Sequence, residues 1–439
     1  MTTRMWLSLF RVHILIQLGV VPVLGFSSSS PHPNGVKRIK GSTLSGDSFV
    51  VVVGKVIIDD YRTPAQDVGQ GKISVGGGGP QAAWGAAAAL AVIDLYDSGI
   101  ESSDYDSSVN VTKGSSALSD LPPPRQQPVI FLGPIGGDWS TTEQESIESI
   151  LSPAIQSINL ISESSLQTPR IQLWHNSNQE IQWQSLNDSW GKKGADSLWR
   201  NRPCAQDIFN AVKTANDGNG FHDDNRFIID NLHMILEVGA TAAGGGQDSE
   251  LLLDERLLRQ VKHVGIEPIA FPEEETGIVS MDDSISCRNR LLQYPKVDLV
   301  APDKHLLEAV DIDSFWNKFD VAARYGPQGS RIWKKGSNTN EESRNDVITV
   351  PVASLKTVDG EPVNPTGAGN AFSAAISTCR AKGMTMVESA CIATAIGAVF
   401  CEYEHVPPWT WETIHRIKQG VDQVTKKVAK EDSYMSTPC

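Results

Sequence analysis

Cysteine and histidine are sparse in this chain of 439 residues, which has six cysteines and nine histidines. No two cysteines form a C-x-x-C pair, and no two histidines are four residues apart. Disulfide-stapled domains and structural zinc sites depend on such clusters. The sequence therefore argues against both as the basis of the fold.

Positive charge is also in short supply, with 38 Lys and Arg against 52 Asp and Glu and a net charge of -14. A surface that binds nucleic acid or an anionic membrane needs a broad positive field. We therefore expect no nucleic-acid partner and no membrane association of the mature chain. A small anion such as a nucleotide would need a local site.

The first 46 residues contain no Asp or Glu. Arg4 and Arg11 precede an apolar run at 14–24, which is shorter than the ~20 residues of a membrane span and is typical of a signal-peptide core. We predict a signal-peptide-like segment at 1–25 and a basic, Ser-rich, transit-like segment at 26–46. The pair resembles the bipartite plastid presequences of algae with secondary plastids. A plain secretory signal is an equal alternative, so the predicted destination is the plastid or the secretory pathway.

From residue 48 onward, short apolar strands alternate with helical segments, which is typical of an α/β fold with a mostly parallel sheet. We predict one such domain at 47–425, followed by a polar tail at 426–439. The predicted strands lie at 48–53, 129–132, 234–238, 266–271, 297–300 and 321–325, and the predicted helices at 82–92, 250–261 and 305–310. Polar stretches predict loop insertions at 97–128, 214–226, 241–250, 272–286 and 336–346.

Residues 170–184 differ, because apolar and polar residues alternate there around a turn at 176–178. This pattern predicts a β-hairpin with one apolar face. The hairpin could be a lid over a site or an ordinary edge hairpin, and the pattern does not decide between them.

The segment at 364–372 reads N-P-T-G-A-G-N-A-F and leads into an apolar helix. Glycines let backbone N–H groups turn inward, and a helix that begins there presents its positive end to the same point. The pattern indicates an anion site, although a purely structural turn would look the same. The segment lacks the Lys of G-x-x-x-x-G-K-[ST] and the third Gly of G-x-G-x-x-G, so neither nucleotide fingerprint fits.

This segment resembles the D-T-x-G-A-G-D-x-F signature of the PfkB/ribokinase-like carbohydrate kinases. Four other stretches agree with that family in order and spacing, so that the resemblance spans about 48–405. They are G-K-V-I-I-D at 54–59, G-G-G-G-P-Q-A-A at 76–83, L-G-P-I-G-G-D at 132–138, and V-D-L-V-A-P-D at 297–303 with Y-G-P-Q-G-S at 325–330. The details look most like a divergent branch that includes the fungal maintenance-of-killer protein.

The resemblance implies a ribokinase-like three-layer α/β/α fold with a mostly parallel central sheet and a small β lid. It implies ATP and Mg²⁺ as cofactors and phosphoryl transfer to a hydroxyl of a sugar or nucleoside. The residues carried over fall into three groups. Substrate binding is implied for Asp59, Gly77 and Gln81, the anion hole for Gly367, Ala368 and Gly369, and nucleotide binding for Thr366, Asp303, Gly326 and Gly329. The resemblance assigns no metal ligand in this chain.

Four polar positions depart from the family pattern while the glycines are retained. Asn370 stands where the family has its catalytic base, and an amide cannot accept the proton of an attacking hydroxyl. Asn364 replaces the first Asp of the signature, Gln81 replaces an Asn, and Leu306 replaces the Glu of N-x-x-E. The sequence therefore predicts a kinase-like protein, or alternatively a catalytically impaired pseudokinase that binds a nucleotide, a sugar or a protein. A homodimer is left open, because lids of this family often pair across dimers.

Overall fold

The computed structural model describes residues 48–61, 72–98, 122–175, 181–186, 203–217, 227–237, 248–269, 281–309, 318–335, 347–353 and 366–435. All of these ranges belong to one compact unit, Ile39–Cys439. The predicted presequence segments lie outside the described residues, so the destination of the chain stays a prediction. None of the helices in these ranges is long and apolar enough to cross a membrane.

The elements of the described residues alternate along the chain. The strands are β1 (Ser48–Val53), β2 (Ile57–Tyr61), β3 (Lys72–Gly76), β4 (Gln127–Gly136), β5 (Ile155–Glu163), β6 (Arg170–His175), β7 (Ile181–Ser185), β8 (Ile228–Glu237), β9 (Val261–Ile269), β10 (Leu299–Val300), β11 (Asp320–Arg324), β12 (Ser330–Trp333) and β13 (Ile348–Val350). The helices are α1 (Gly78–Asp97), α2 (Thr141–Leu151), α3 (Ala205–Asp217), α4 (Asp248–Leu253), α5 (Glu255–Gln260), α6 (Met281–Gln293), α7 (Lys304–Ala309), α8 (Ala368–Ala381), α9 (Met386–Phe400) and α10 (Trp411–Met435).

Nine strands form the central sheet, in the order β13-β12-β11-β10-β9-β8-β1-β4-β5. The pairs from β11 to β5 are parallel, and only β12 and β13 pair antiparallel at one edge. Helices cover both faces. The core on one face is built with α1, α2, α8, α9 and α10, and the core on the other with α3 to α7. The predicted three-layer α/β/α fold with a mostly parallel central sheet is confirmed.

Strand β1 shows how the sequence builds these layers. All six of its residues are buried. Val50 and Val52 belong to one apolar core, whereas Phe49, Val51 and Val53 belong to the other. Because side chains alternate across a strand, a continuous apolar run is what a strand covered on both faces requires.

Helices α1 and α8 pack at very short range. A Cβ placed on Gly85 of α1 would lie 2.3 Å from the carbonyl oxygen of Ala371 in α8. Only a residue without a side chain allows this approach, and the alanines around Gly85 keep the rest of the interface flat. The close packing fixes the start of α1 relative to the start of α8.

A second sheet of four strands has the order β3-β2-β6-β7. Strand β2 pairs antiparallel with β3 and parallel with β6, and β6 and β7 form the hairpin that the sequence predicts. This second sheet is the small β lid of the predicted fold.

Several predicted boundaries move. The predicted helix at 250–261 is wrong in its extent, because Asp254 breaks it and its carboxylate caps α5 by accepting a 2.8 Å hydrogen bond from Leu257 N. Strand β9 then begins at Val261. The last six residues of the predicted insertion at 272–286 belong to α6, and α10 runs to Met435, ten residues beyond the predicted domain end.

Candidate functional site

Two helix starts meet at the centre of the site. Helix α1 follows Gly77, which has φ +90°, and α8 follows Gly367, which has φ +85°. A Cβ on Gly78 would lie 3.3 Å from the side-chain amide group of Asn370, so the first turns of the two helices are neighbours. Each helix start carries a positive dipole end. In the first turn of α1, however, Gly79 N donates to the carbonyl oxygen of Lys55 at 2.9 Å and Pro80 has no N–H, so N–H groups for an anion come mainly from α8. The convergence of the two helix starts creates a local site for an anion.

The turn before α8 requires glycine for two reasons. Gly367 adopts the left-handed conformation, which side chains disfavour. The space that a Cβ would fill is also taken, because it would lie 2.2 Å from Cδ of Gln81. Gln81 therefore packs directly on the turn that sequence analysis assigns to the anion hole.

The side chain of Asn370 lies between α1 and the central sheet. Its amide group is 2.6 Å from Oε1 of Gln81. On its other side lies the carboxylate of Glu267, within 2.9 and 3.3 Å of the Asn370 amide. The position that resembles the family's base thus holds an amide, but it is in contact with a carboxylate from a different strand.

Glu267 lies on β9 and is completely buried. Its carboxylate pairs with the guanidinium of Arg324 at the end of β11, and Nε2 of His233 lies 4.0 Å away. Burial raises the pKa of Glu267, while the charge of Arg324 and a hydrogen bond with Ser373 oppose that rise. Burial lowers the pKa of His233 to about 3, so this imidazole is neutral.

Arg324 brings a cation to the start of α8. A Cβ on Gly369 would lie 2.7 Å from Nη1 of Arg324, and the same nitrogen donates to Ser373 Oγ at 3.2 Å. A cation beside a helix N-terminus is unfavourable without an anion nearby. Glu267 of β9 supplies that anion. The guanidinium of Arg324 also lies next to Gly369, where it could help to hold a phosphate at the turn.

A pocket adjoins this centre and is lined by Asp59, Tyr61, Ser74, Val75, Gly76, Gln81, Thr366, Phe400, Glu404, His405 and Val406. Asp59 is 3% exposed, and burial raises its pKa to about 8. A buried carboxylate without a cation destabilises a fold, and such groups concentrate at binding and catalytic sites. The Asp59 carboxyl is therefore the best candidate for contact with a ligand.

The loop after α9 supplies the opposite wall of the pocket. Its residues Glu404 and His405 line the pocket, and the ring of His405 packs edge-on against Tyr61 of β2 at 5.3 Å between centroids. This contact joins the second sheet to the main domain across the pocket. A ligand that binds in the pocket would therefore lie between Asp59 of the second sheet and the loop that holds Glu404 and His405.

Three of the four candidate nucleotide residues, Asp303, Gly326 and Gly329, lie at the ends of β10 to β12. Asp303 pairs with Arg324 in an isolated parallel bridge, and its Oδ1 accepts a 2.8 Å hydrogen bond from Leu306 N, so it caps α7. Gly326 is exposed, whereas a Cβ on Gly329 would lie 2.1 Å from the carbonyl oxygen of Val350. Of this group, Asp303 is the residue that lies close to the anion site through Arg324.

Few side chains near the site could act as metal ligands in the ranges that the structure describes. No cluster of three or more His, Cys, Asp or Glu that could hold a metal ion occurs among the described residues. Leu306, at the position of the family's metal-motif Glu, is 1% exposed and packs in the core. The described residues therefore offer no such cluster as a resident Mg²⁺ site.

The structure brings most of the candidate residues together and corrects the placement of one. Gln81, Thr366 and Asp59 line one pocket, and Gln81 also contacts the turn at 367 and the side chain of Asn370. The G-K-V-I-I-D stretch at 54–59 does not continue β1, because Asp59 lies within β2 of the second sheet. Asn364 lies outside the described residues.

Sequence reasoning missed four side chains of this site: Glu267, Arg324, Glu404 and His405. The signal for Glu267 was a single acidic residue in the apolar run of a buried strand, which is rare unless the group is paired. Arg324 carried a similar signal, because it ends the apolar strand before the turn at 326–329. Neither residue indicated which partner it would meet.

Neither a protein-family model nor a curated protein sequence matches the chain. Solved structures do match. An E. coli protein provisionally assigned as ribokinase II, in its apo form, aligns with a TM-score of 0.50 and 14% identity over 86% of this chain and 99% of the E. coli chain. A Methanocaldococcus jannaschii nucleoside kinase, an archaeal member of the ribokinase family, aligns with a TM-score of 0.49 and 14% identity over 85% and 98% of the two chains. At these identities the likeness establishes the fold, and the E. coli structure supports the assignment of a ribokinase fold.

Proposed function

We propose that this chain belongs to the ribokinase-like (PfkB) family and catalyses ATP-dependent phosphoryl transfer to a hydroxyl group of a sugar or nucleoside. One observation carries the proposal. A single pocket is lined by Asp59, Gln81 and Thr366, and it adjoins the paired helix starts at 77–79 and 367–369. Groups that can bind an acceptor hydroxyl and groups that can bind a phosphate thus share one site.

On the acceptor side, Asp59 is the principal binding group. An ionised carboxylate accepts hydrogen bonds from hydroxyls, and such bonds lower its pKa because they favour the charged form. Burial alone holds the pKa of Asp59 at about 8. Binding of a polyhydroxylated ligand would therefore be coupled to release of a proton from Asp59 near neutral pH.

On the phosphate side, the backbone N–H groups at 367–369 and the Arg324 guanidinium fit an anion. Gly367 and Gly369 leave the room that a Cβ would fill. Bound ATP would supply the phosphoryl group, with Mg²⁺ neutralising its charge. Asp303, Gly326 and Gly329 are the remaining nucleotide residues by resemblance. The chain's own task would be to hold the phosphate at the turn and the acceptor at Asp59.

The two candidate functions, a slow kinase and a pseudokinase, differ in the rate of phosphoryl transfer. A general base contributes ~10²–10⁴ in rate, which is about 3–5 kcal/mol. Asn370 cannot supply it, whereas positioning and charge stabilisation carry most of phosphoryl transfer. We therefore propose a slow kinase. The second candidate is a pseudokinase that binds nucleotide or sugar without turnover, which is favoured by the buried Leu306 at the metal motif.

Three further proposals rest on sequence alone. The glycine-rich turn at 76–79 and the form of the segment at 364–372 favour the divergent branch that includes the fungal maintenance-of-killer protein. The acid-free N-terminus favours a plastid or secretory destination. The second sheet is the surface on which a homodimer would form, and sedimentation of the purified chain would test that.

The proposal is tested by thermal unfolding of the full chain with and without ATP and Mg²⁺. Ligand at about 100 times its Kd adds about 2.7 kcal/mol, which raises the melting temperature by a few degrees. Gly367→Ala should abolish this shift. Gly383→Ala is the matched control, because Gly383 also has positive φ (+81°) but nothing lies within 4 Å of its Cβ position.

The outcomes separate the candidates. A shift in wild type and in Gly383→Ala, lost in Gly367→Ala, supports nucleotide binding at the turn. Transfer of labelled phosphate to any of a panel of pentoses, hexoses and nucleosides then supports the kinase, and its absence supports the pseudokinase. No shift with ATP in any of the three proteins would overturn the kinase and the nucleotide-binding form of the pseudokinase.

A further inference from the structure

The carboxylate that position 370 lacks lies one hydrogen bond away, on Glu267. This residue is on β9 in the central sheet, whereas Asn370 is in the first turn of α8, and the two are 103 positions apart in the sequence. No described residue other than Glu267 places a carboxylate in contact with the Asn370 amide. The charge on Glu267 therefore decides how that amide is held.

The charge state of Glu267 follows from its surroundings. Arg324 reaches it from β11, neutral His233 faces it from β8, and Asp303 lies near enough to raise its pKa further. A protonated Glu267 would leave the guanidinium of Arg324 beside the N-terminus of α8, without the one carboxylate that pairs with it among the described residues. Burying an unpaired charge costs more than burying the pair. We therefore take Glu267 as ionised and paired with Arg324.

An ionised Glu267 fixes the orientation of the amide. Both of its oxygens are acceptors, so the Asn370 group that faces them must be the NH₂. In that orientation Nδ2 donates to Oε1 at 2.9 Å and to Oε2 at 3.3 Å, and Oδ1 lies 2.6 Å from the Gln81 amide. Gln81 then donates its own N–H to Oδ1. The chain of hydrogen bonds runs from Gln81 through Asn370 to Glu267.

We propose that Glu267 is a positioning residue that holds Asn370 with its carbonyl oxygen toward Gln81, and that it excludes a charged aspartate at position 370. The functional meaning of this inference rests on the proposed phosphotransferase site. An aspartate at 370 has no N–H to offer and would place a second carboxylate about 3 Å from Glu267. One of the two must then take a proton, so the restored residue would not be a free base.

The same contacts indicate which second substitution would allow an ionised aspartate at position 370. In the double variant Glu267→Gln with Asn370→Asp, the amide and the carboxylate exchange places. The new amide at position 267 can turn its NH₂ toward the new carboxylate at position 370, and the net charge of the pair is unchanged. Arg324 then pairs with the carboxylate at 370 in place of the one at 267.

The test is a double-mutant cycle on the full chain without nucleotide, with melting temperature as the readout. Wild type, Glu267→Gln, Asn370→Asp and the double variant are compared at pH 5.5 and pH 8. We expect each single variant to melt below wild type and the double variant to melt above both. The deficit of Asn370→Asp should grow at pH 8, because its shared proton raises one folded-state pKa and that stability is lost as the pH rises.

The control pairs Asn370→Asp with Asp320→Asn. Like Glu267, Asp320 lies on a strand and contacts a side chain of α8, pairing with Arg380 at 2.8 Å, but Arg380 lies ten residues along the helix from Asn370, a rise of about 15 Å. Its effect should add to that of Asn370→Asp. Additive losses in the Glu267 cycle as well would overturn the proposal. If Asn370→Asp does not fold, a folded double variant supports the proposal and an unfolded one overturns it.

This outcome is independent of the nucleotide test. If the double variant melts above both single variants but wild type shows no ATP-dependent shift, the positioning role of Glu267 is supported and the proposed kinase function is overturned. An ATP-dependent shift together with an additive cycle would support nucleotide binding and overturn the positioning role of Glu267. If both hold, the double variant should transfer phosphate at least tenfold faster than Asn370→Asp, because it alone carries a carboxylate at 370 that is free to ionise.

Discussion

Asp59 gives the sharpest prediction about this protein. Its carboxyl is 3% exposed in β2, and burial raises its pKa from 3.8 to about 8. A folded-state pKa above the unfolded value stabilises the fold at low pH, and that stability is lost as the pH rises through the folded pKa. Asp59→Asn keeps the shape of the side chain and removes the titration. We therefore expect the variant to gain stability over wild type as the pH is raised.

The magnitude follows from the two pKa values. At pH 5 the folded state holds the Asp59 proton almost completely, and at pH 8 it holds it about half the time, whereas the unfolded chain has lost it at both. At 1.36 kcal/mol for each pKa unit, wild type loses about 3 to 4 kcal/mol between these pH values through Asp59 alone. The free energy of unfolding of Asp59→Asn, measured relative to wild type, should increase by the same amount between pH 5 and pH 8.

Urea titrations of the two full chains at pH 5 and pH 8 measure this difference directly. All other titrating groups are common to both proteins and cancel when the variant is compared with wild type. A difference that stays constant within about 0.5 kcal/mol would refute the reasoning, because it would mean that Asp59 is ionised in the folded state at pH 5. A sugar or nucleoside that binds Asp59 should stabilise wild type more at pH 8 than at pH 5.

Other consequences follow from contacts that glycines permit and from burial. Gly85→Ala should lower the free energy of unfolding by about 1 to 3 kcal/mol or more, because its Cβ would lie 2.3 Å from the Ala371 carbonyl; urea titration measures the loss. Gly76→Ala should weaken acceptor binding while leaving the ATP-dependent melting shift in place, because its Cβ would lie 2.0 Å from Asp59 Oδ2. Burial raises the pKa of Cys287 to about 12, so a disulfide reagent at pH 8 should label this thiol only after unfolding.

The elements that could be predicted from sequence are those with a local signal. The run at 48–53 is apolar at every position after the first because both faces of β1 are covered. The alternation around 176–178 predicts the hairpin of β6 and β7, and the glycines around Ala368 predict the turn that begins α8. In each case a few neighbouring residues carry the whole pattern.

Predictions failed where a polar residue acts through a contact that neighbours do not reveal. Asp254 lies within a stretch whose amphipathic pattern predicts one continuous helix. Its carboxylate instead caps α5, and the predicted helix is split at this residue. Asp59 follows β1 closely enough to resemble its end, yet the chain turns at 54–56 and enters the second sheet. Neither outcome is determined by hydrophobic periodicity.

The sequence by itself determined the ribokinase-like architecture, the glycine turns and the absence of a carboxylate at position 370. The tertiary structure alone decided what stands around Asn370. Glu267, Arg324 and Gln81 lie on three elements far apart in the chain, and they meet because β9 and β11 are neighbours of β10 in the sheet and α1 packs on α8. Local patterns record which face of a strand or helix is buried, whereas the pairing of buried polar groups depends on which elements become neighbours, and only the folded chain sets that.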